Sequence, residues 1–393
     1  MQEIKNNVYF CGLNDLDRKY FDELIPLKNG TTYNSYLIKG SGGKCIGKTA
    51  LIDTTYPPKI EEFLQKFDTP LDYIIALHGE QDHTGAIPVL LEKYPDAIVL
   101  TNPKCKENII NMLNVSEDKI QVVEDGEEIS LGDKTLKFIY APWVHWPDTM
   151  FTYLTEDNML FTCDFFGAHY TFDDFWAKPD EKLYLGAKRY YAEIMMPFRT
   201  FCNKYTKMIR EINPDIILPS HGPIYKDCGF ILDAYEEWSC EECTNLVLMP
   251  YVSMYGSTEE MVDYLAEKIE SKGVKVHKFN VIDGDLGDLA INLVDAAGIV
   301  IGAPMVLAGP HPNIMSSALL INALRPKTKC ISFVGSYGWG GNLIGKLEEM
   351  LSNLKVQKPS PVLAKGKPKA EDFAKLDELA ESILEVVLNP VCD

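Results

Sequence analysis

Three apolar runs with the length and composition of buried β-strands lead into His78, Asp164 and His221. Strands buried on both faces consist of nearly continuous Val, Ile and Leu, and in α/β proteins the carboxyl ends of such strands commonly carry functional side chains. The pattern therefore predicts that the chain up to about residue 240 folds into layers of helices and strands, with polar side chains gathered at strand ends.

The densest of these ends is His78-Gly-Glu80-Gln-Asp82-His83, which places four potential metal ligands within six residues. Four of the seven histidines in the chain lie at comparable positions. The predicted ligands are His78, Glu80, Asp82, His83, His145, Asp164 and His221. An ordinary loop residue is the alternative for each of them, and for His145 above all, but the density of the cluster favours a metal site.

The composition of this ligand set indicates the kind of metal. Imidazole nitrogens and carboxylate oxygens suit iron, manganese or zinc, and three carboxylates favour a harder ion than a thiolate or all-imidazole set would. Seven ligands exceed what one tetrahedral ion takes, so two metals are implied, with Asp164 as the natural bridge. Such a pair leaves open positions for a small substrate.

A second region begins near residue 244, after an acidic stretch that contains cysteines, and it alternates strand, polar loop and helix over about 150 residues. This order predicts a doubly wound α/β domain of flavodoxin size. We expect strands at 246–249, 298–302 and 329–334, helices at 259–272 and 316–324, and a surface loop at 355–370. The predicted domains are residues 1–243 and 244–393.

Two loops of the second region predict a nucleotide site. Ser253-Met-Tyr-Gly-Ser-Thr258 precedes a helix, and its hydroxyls together with the N–H groups at the helix start suit a phosphate, although a simple helix cap is the alternative. Gly335-Ser-Tyr-Gly-Trp-Gly-Gly341 offers close backbone approach and two flat aromatic faces for an isoalloxazine ring. A GxGxxG sequence after a strand is missing, which argues against a nicotinamide site. The predicted FMN-binding residues are Ser253, Met254, Tyr255, Gly256, Ser257, Thr258, Ser336, Tyr337, Gly338, Trp339 and Gly340.

Composition limits the partners and the compartment. A formal net charge of −19 disfavours nucleic acid and anionic membrane surfaces, which reward clustered Lys and Arg. The first residues lack the pattern of a signal peptide and no apolar run reaches spanning length, so we expect a cytoplasmic protein with no membrane contact. The ten cysteines are expected to be reduced, and the single CxxC, Cys240 with Cys243, cannot complete a four-thiolate zinc or rubredoxin site.

The order HxExDH, then a distant His, then Asp, then His resembles the metallo-β-lactamase fold as it occurs in flavodiiron proteins. The resemblance covers nearly the whole chain. It extends to the segments 30–34, 51–53, 144–148, 164–169, 190–191, 195–197 and 219–223. It implies an N-terminal metallo-β-lactamase-like αββα sandwich followed by a flavodoxin-like doubly wound parallel sheet.

The resemblance also implies roles for the ligands. His78, Glu80 and His145 would bind one iron, Asp82, His83 and His221 the second, and Asp164 would bridge them. Hydrolases of the superfamily typically carry HxHxDH, so Glu80 adds a negative charge and points towards iron. His169 is either a residue that orients a ligand or a core histidine. Tyr191 is expected to pack in the core, and Asp53 and His277 have no assigned role.

For function, the resemblance implies reduction of dioxygen to water, of nitric oxide to nitrous oxide, or of both, with electrons delivered through FMN from an external donor such as rubredoxin. It also implies a head-to-tail homodimer or a dimer of dimers. The segment 302–309 departs from the family because it is more apolar than the expected flavin loop, so no side-chain role carries over to it. The choice between the two gases and the identity of the donor stay open.

Two alternatives compete with this interpretation. One is a zinc hydrolase of the metallo-β-lactamase superfamily with a fused flavodoxin-like module, in which a metal-bound hydroxide attacks an ester or amide. The other is an electron carrier whose first domain has lost its activity. Glu80 and the two flavin loops oppose the first alternative, and the complete ligand set opposes the second.

Overall fold

A computed structural model of the protein describes residues 1–42 and 47–388. The chain divides into two compact units: one holds residues 1–191 and 198–239, and the other holds 192–197 and the chain from 240 onwards. The sequence-based boundary between 243 and 244 stays a prediction. Cys45 and Cys392 lie outside the described residues, and the eight cysteines within them are thiols.

The first unit contains two mixed sheets. In spatial order, the strands of the larger sheet are Gln2–Lys5, Val8–Phe10, Tyr36–Lys39, Thr49–Ile52, Tyr73–Ile75, Ile98–Thr101 and Ile120–Val122. Those of the smaller sheet are Glu128–Ser130, Thr135–Tyr140, Met150–Leu154, Met159–Cys163 and Ile216–Pro219. Two short pairs complete the strands, Leu13–Asp15 with Thr31–Tyr33 and Tyr20–Phe21 with Ile25–Pro26.

Side-chain alternation along the strands builds four layers in this unit. Tyr36 and Ile38 pack between the two sheets, whereas Leu37 packs on the opposite face against helices. On the outer face of the smaller sheet, Phe151 makes an edge contact with Tyr205 of a helix. The arrangement is an αββα sandwich, as the family resemblance implied. Its α-helices are Ile60–Leu64, Gln81–Thr84, Ile87–Lys93, Pro103–Leu113, Glu181–Tyr190, Arg199–Ile212 and Cys228–Ser239. Short 3-10 and π turns lie at Pro57–Lys59, Glu117–Lys119, Tyr191–Met195 and Met196–Phe198.

The second unit is a doubly wound parallel sheet. In spatial order its strands are Lys275–Asn280, Thr244–Tyr251, Ala296–Val306, Cys330–Tyr337 and Val362–Lys365, with Gly309–Pro310 paired to the end of the third. In chain order this is 2-1-3-4-5, the flavodoxin-like order. Its helices are Ser257–Glu270, Leu286–Leu293, Pro312–Leu324, Leu343–Met350 and Ala370–Leu388.

The expected surface loop at 355–370 is partly wrong. Val362–Lys365 forms the edge strand, with Val362 and Ala364 buried in the core and Lys365 exposed. The surrounding Lys and Pro residues concealed a strand of four residues, and such residues are common on edge strands because they discourage further pairing. The strand expected at 329–334 also runs on to Tyr337, so the second predicted loop begins inside the sheet.

No helix within the described residues is long and apolar enough to cross a membrane.

Candidate metal centre and cofactor cavity

The seven predicted metal ligands come together in the first unit at the carboxyl ends of neighbouring strands. His78 follows the strand Tyr73–Ile75, and the short helix Gln81–Thr84 presents Asp82 and His83 on the next turn. His145, Asp164 and His221 arrive from loops that follow strands of the smaller sheet. Ligand atoms of His78, Glu80 and His145, and likewise those of Asp82, His83 and His221, lie within 4.8 Å of one another.

The Asp164 carboxylate lies between these two triads. Its Oδ1 is 3.2 Å from His83 Nε2 and 3.2 Å from His221 Nε2. Its Oδ2 is 3.5 Å from His145 Nε2 and 3.8 Å from His78 Nε2. One oxygen therefore faces each triad, which is the geometry of a carboxylate that bridges two cations.

The remaining carboxylates belong to one triad each. Glu80 Oε2 lies 3.2 Å from His78 Nε2 and 3.5 Å from His145 Nε2. In the other triad, Asp82 Oδ2 lies 3.4 Å from His221 Nε2, and Asp82 Oδ1 lies 3.5 Å from His83 Nε2.

Several ligand atoms are buried without a hydrogen-bond partner among the described residues: both carboxylate oxygens of Asp82 and the Nε2 atoms of His83 and His221. Buried polar atoms are normally satisfied, and leaving them unpaired is costly. Their convergence on one point therefore fits a cation, and the mixed imidazole and carboxylate donors fit iron, manganese or zinc.

Hydrogen bonds on the far side of three imidazoles fix their orientation. His78 Nδ1 lies 3.0 Å from Asp148 Oδ1, His83 Nδ1 lies 3.0 Å from Asp53 Oδ2, and His221 Nδ1 lies 2.5 Å from the Thr32 carbonyl oxygen. A proton on Nδ1 that is donated to an oxygen leaves Nε2 as the lone-pair donor that a metal needs.

Charges within the cluster shift its titration strongly. Burial alone lowers the pKa of His78, but the Asp148 and Glu80 carboxylates outweigh it and raise that pKa to about 10. Burial likewise lowers the pKa of His221, but the Asp164 and Asp82 carboxylates outweigh burial and raise that pKa to about 9. Burial would raise the pKa of Asp164, but the neighbouring imidazoles, His83 first, hold it well below its usual range. The cluster is thus built to hold positive charge among carboxylates.

Asp53 connects three ligand-bearing segments, although the sequence assigned it no role. Its Oδ1 accepts the Leu77 N–H at 2.9 Å, just before His78, and its Oδ2 accepts from His83 and, at 2.9 Å, from the hydroxyl of Ser220, just before His221. The available signal was its position directly after the strand Thr49–Ile52, the same placement that singled out His78.

Asp148 is a second residue of this kind. Besides the His78 imidazole it accepts the Gly79 N–H at 2.9 Å and the Asn108 amide at 2.8 Å. A Cβ at position 79 would lie 2.7 Å from the Asp148 carboxylate, so this close approach requires glycine. Burial raises the pKa of Asp148, but the His78 imidazole, the Asn108 amide and the Gly79 N–H together outweigh burial and lower that pKa, which keeps the carboxylate charged.

Tyr190, at the end of the helix Glu181–Tyr190, and His169, in the loop after Asp164, both lie against the cluster. The Tyr190 hydroxyl donates to Asp164 Oδ1 at 3.0 Å, a contact that the sequence did not predict. The His169 ring packs 4.7 Å from the Tyr190 ring and 5.4 Å from the His221 ring, and its Nδ1 lies 2.8 Å from the Thr31 hydroxyl. Tyr191 donates to the Trp238 carbonyl and is fully buried, in keeping with core packing. His277 is exposed on an edge strand.

The second unit has a cavity of about 260 Å³ at the carboxyl ends of its strands, next to the start of helix Ser257–Glu270. Its lining is Ser253, Met254, Tyr255, Ser257, Thr258, Pro304, Met305, Ser336, Tyr337, Gly338 and Gly366. The two predicted loops meet here, because the Thr258 and Ser336 hydroxyls lie 3.0 Å apart.

Three of the predicted FMN residues, Gly256, Trp339 and Gly340, are absent from the lining of this cavity. Pro304 and Met305 do line it, so the apolar segment 302–309 reaches the cavity after all. Gly366 was missed because its segment was expected to be a surface loop rather than the end of a strand. The serine and threonine hydroxyls at a helix start, beside flat and apolar side chains, suit a phosphate joined to an aromatic ring system.

Comparison with known proteins matches two regions of the chain to two different families. Residues 31–222 match the ODP family beta lactamase family, and residues 250–377 match the flavodoxin family. The nitric oxide reductase of Moorella thermoacetica is 34% identical over 397 residues, with 97% of each chain covered. The type A flavoprotein fprA of Rhodobacter capsulatus is 31% identical, with 91% of this chain and 84% of that protein covered. The solved structure of rubredoxin oxygen:oxidoreductase from Desulfovibrio gigas is 27% identical, covers 100% of both chains and has a TM-score of 0.93.

Proposed function

The chain belongs to the flavodiiron (A-type flavoprotein) family, and from that premise we propose that it is an oxidoreductase that reduces dioxygen to water, nitric oxide to nitrous oxide, or both. Two irons in the first unit and FMN in the second are its cofactors. The observation that carries the proposal is the Asp164 carboxylate, with one oxygen towards each ligand triad.

We propose that His78, Glu80 and His145 hold one iron, that Asp82, His83 and His221 hold the other, and that Asp164 bridges them. Iron bound in this way would supply one-electron redox chemistry. It would also offer open coordination positions for the two atoms of one dioxygen molecule or for two nitric oxide molecules. Asp148, Asp53 and the Thr32 carbonyl would hold the Nδ1 proton of His78, His83 and His221 when iron binds, which would leave Nε2 as the donor to the metal. The Tyr190 hydroxyl fixes one oxygen of the bridge.

In the second unit, we propose that Ser253 to Thr258 hold the FMN phosphate and that Ser336 to Gly340 lie along the ring, with Pro304, Met305 and Gly366 as further contacts. The lining of the cavity supports eight of the eleven predicted residues. The division into residues 1–243 and 244–393 belongs to the same proposal.

Electrons are proposed to come from an external small redox protein such as rubredoxin, and the enzyme is proposed to act as a head-to-tail homodimer or a dimer of dimers. Large exposed side chains in the segments that form the cavity support a covering partner, because exposed apolar patches commonly mark interaction sites. They are Met254, Tyr255, Leu307 and Trp339, which are 48%, 91%, 84% and 67% exposed. The thiol state of the described cysteines supports a reducing compartment, the cytoplasm.

The decisive experiment is cofactor analysis followed by anaerobic stopped-flow oxidation of the reduced enzyme by each gas. Two irons and one FMN per chain, with rapid reoxidation by dioxygen or nitric oxide, are expected. Stoichiometric zinc with hydrolytic activity and no reoxidation would overturn the proposal. The names of the relatives do not favour that hydrolase alternative. Light scattering tests the oligomer, since a monomer with full turnover would contradict the dimer.

A further inference from the structure

The CxxC pair Cys240 and Cys243 lies at the start of the second unit, between the helix Cys228–Ser239 and the strand Thr244–Tyr251. Both side chains are partly exposed, and the backbone bends at Cys240 and Glu241. The metal and flavin sites use neither cysteine. The pair is therefore accessible to a small reagent and has no part in the proposed gas reduction.

Both thiols contact the same residue, Lys327, which precedes the strand Cys330–Tyr337. The Lys327 ammonium lies 3.7 Å from Cys240 Sγ, and the Cys243 thiol donates to the Lys327 carbonyl oxygen at 3.0 Å. Cys240 Sγ also lies 3.6 Å from the Glu242 carbonyl oxygen. Lys327 thus contacts both sulfurs of the CxxC segment, one through its side chain and one through its backbone.

These contacts give the two sulfurs different chemistry. The Lys327 ammonium lies beside Cys240 Sγ, where a positive charge stabilises the negative charge that this sulfur carries when it attacks as a nucleophile. Both thiols also donate to a backbone carbonyl oxygen, Cys240 to Glu242 at 3.6 Å and Cys243 to Lys327 at 3.0 Å, so these bonds do not distinguish the two sulfurs. A cysteine beside a cation, with a second cysteine close in the chain that can resolve its oxidised form, is the arrangement of redox-active cysteine pairs.

We propose that Cys240 and Cys243 form a redox-active dithiol that a peroxide oxidises to a disulfide, with Cys240 as the attacking sulfur and Cys243 as the resolving one. In the first step the Cys240 thiolate attacks one peroxide oxygen, an S–O bond forms, the O–O bond breaks, and hydroxide leaves and is protonated to water. In the second step Cys243, after losing its proton, attacks the sulfenic sulfur, an S–S bond forms, and the S–O bond breaks to release the second water. The two sulfurs supply the two electrons that hydrogen peroxide takes up.

The test uses the purified holoenzyme, stoichiometric hydrogen peroxide and differential alkylation with peptide mass spectrometry. The peptide that contains both cysteines should become a disulfide that a thiol reductant reverses. Cys228 is the internal control, because it is also partly exposed but burial raises its thiol pKa to about 11. The pair should react at least about 10-fold faster than Cys228.

Variants assign the two roles. Cys243→Ser should stop at a sulfenic acid on Cys240 that dimedone traps, whereas Cys240→Ser should leave Cys243 reduced. Lys327→Met should slow oxidation by about 3- to 10-fold, and Lys329→Met, two residues away, should not. Oxidation of the pair no faster than that of Cys228, or an unchanged rate in Lys327→Met, would overturn the proposal. The test does not depend on gas reduction, because its readout is the state of the thiols.

Discussion

At the scale of single residues, the metal cluster is organised by carboxylates that are not themselves ligands. Asp53 and Asp148 each accept three hydrogen bonds, one of which comes from a predicted ligand, His83 for Asp53 and His78 for Asp148. Hydrogen bonds of this kind fix the direction and raise the basicity of a ligating imidazole. The positions of His78 and His83 are therefore set twice, once by the strand end or short helix that carries each residue and once by a buried carboxylate.

Asp53→Asn tests this dependence. The asparagine oxygen can still accept the Leu77 N–H. The NH2 group that replaces Oδ2 is a donor, so it can accept from neither His83 nor Ser220. The affinity for iron should fall by about 10- to 100-fold, because His83 loses the partner that orients it. Anaerobic iron titration of the metal-free protein measures the change, with Asp118→Asn, an exposed carboxylate of the same unit, as the control. Unchanged affinity in Asp53→Asn would mean that the short helix Gln81–Thr84 positions His83 without help from Asp53.

The adjacent tyrosines provide a matched pair of variants. Tyr190→Phe removes a hydrogen bond to the Asp164 carboxylate, whereas Tyr191→Phe removes one to a backbone carbonyl. Both should cost about 1–3 kcal/mol of unfolding free energy, because each removes a hydrogen bond between buried groups. Only Tyr190→Phe should also shift the midpoint potentials of the irons, measured by redox titration with electron paramagnetic resonance. Equal potentials in the two variants would assign Tyr190 a purely structural role.

Metal loading should depend on pH through the same cluster. The pKa values of His78 and His221 are raised to about 10 and about 9, so in the metal-free chain both imidazoles are protonated on both nitrogens and positively charged at neutral pH. Iron must displace these protons, so its affinity should rise with pH, by about tenfold per pH unit for each proton displaced. Iron titrations between pH 6 and pH 9 measure this slope. An affinity that is flat across this range would contradict the protonated state.

At the scale of elements, sequence periodicity predicted most of what positions the two sites. The apolar run that leads into Asp164 is the strand Met159–Cys163, and the helix expected at 316–324 ends at Leu324 as predicted, although it begins earlier, at Pro312. Val362–Lys365 was missed because only two of its residues face the core, so its pattern is short and its neighbours are Lys and Pro. Tyr190 was left out for a different reason: its role depends on a side-chain contact between segments far apart in the chain, which no local pattern records. The position of Asp53 after a strand was visible in the sequence, but its three hydrogen-bond partners were not.

Gly366 connects this missed strand to the cofactor cavity. Its φ of +77° is in the left-handed region, and it lines the cavity directly after Lys365. Gly366→Ala should destabilise the fold by about 1–2 kcal/mol through backbone strain and should also weaken FMN binding, since the end of the strand must shift. Gly273→Ala is the matched control, because its φ is +84°, its added Cβ also meets open space, and it lies outside the cavity lining. FMN affinity, measured by flavin fluorescence quenching, should fall only in Gly366→Ala.

At the scale of the whole molecule, each proposed cofactor site draws its residues from one unit. The clustered metal-ligating side chains of the described chain belong to the first unit, and every residue that lines the flavin cavity belongs to the second. A ligand stabilises only the structure that it binds. Iron and FMN should therefore stabilise different parts of the protein.

Calorimetry of the holoenzyme, the iron-free protein and the FMN-free protein tests this separation. Two transitions are expected, and each apoprotein should show only one of them lowered. At a cofactor concentration of about 100 times Kd the stabilisation is about 2.7 kcal/mol. For units of this size the affected midpoint should therefore fall by about 5–10 °C. A single transition lowered by removal of either cofactor would mean that the two units unfold as one, so that occupation of the diiron site and of the flavin cavity would be coupled through the stability of the whole chain.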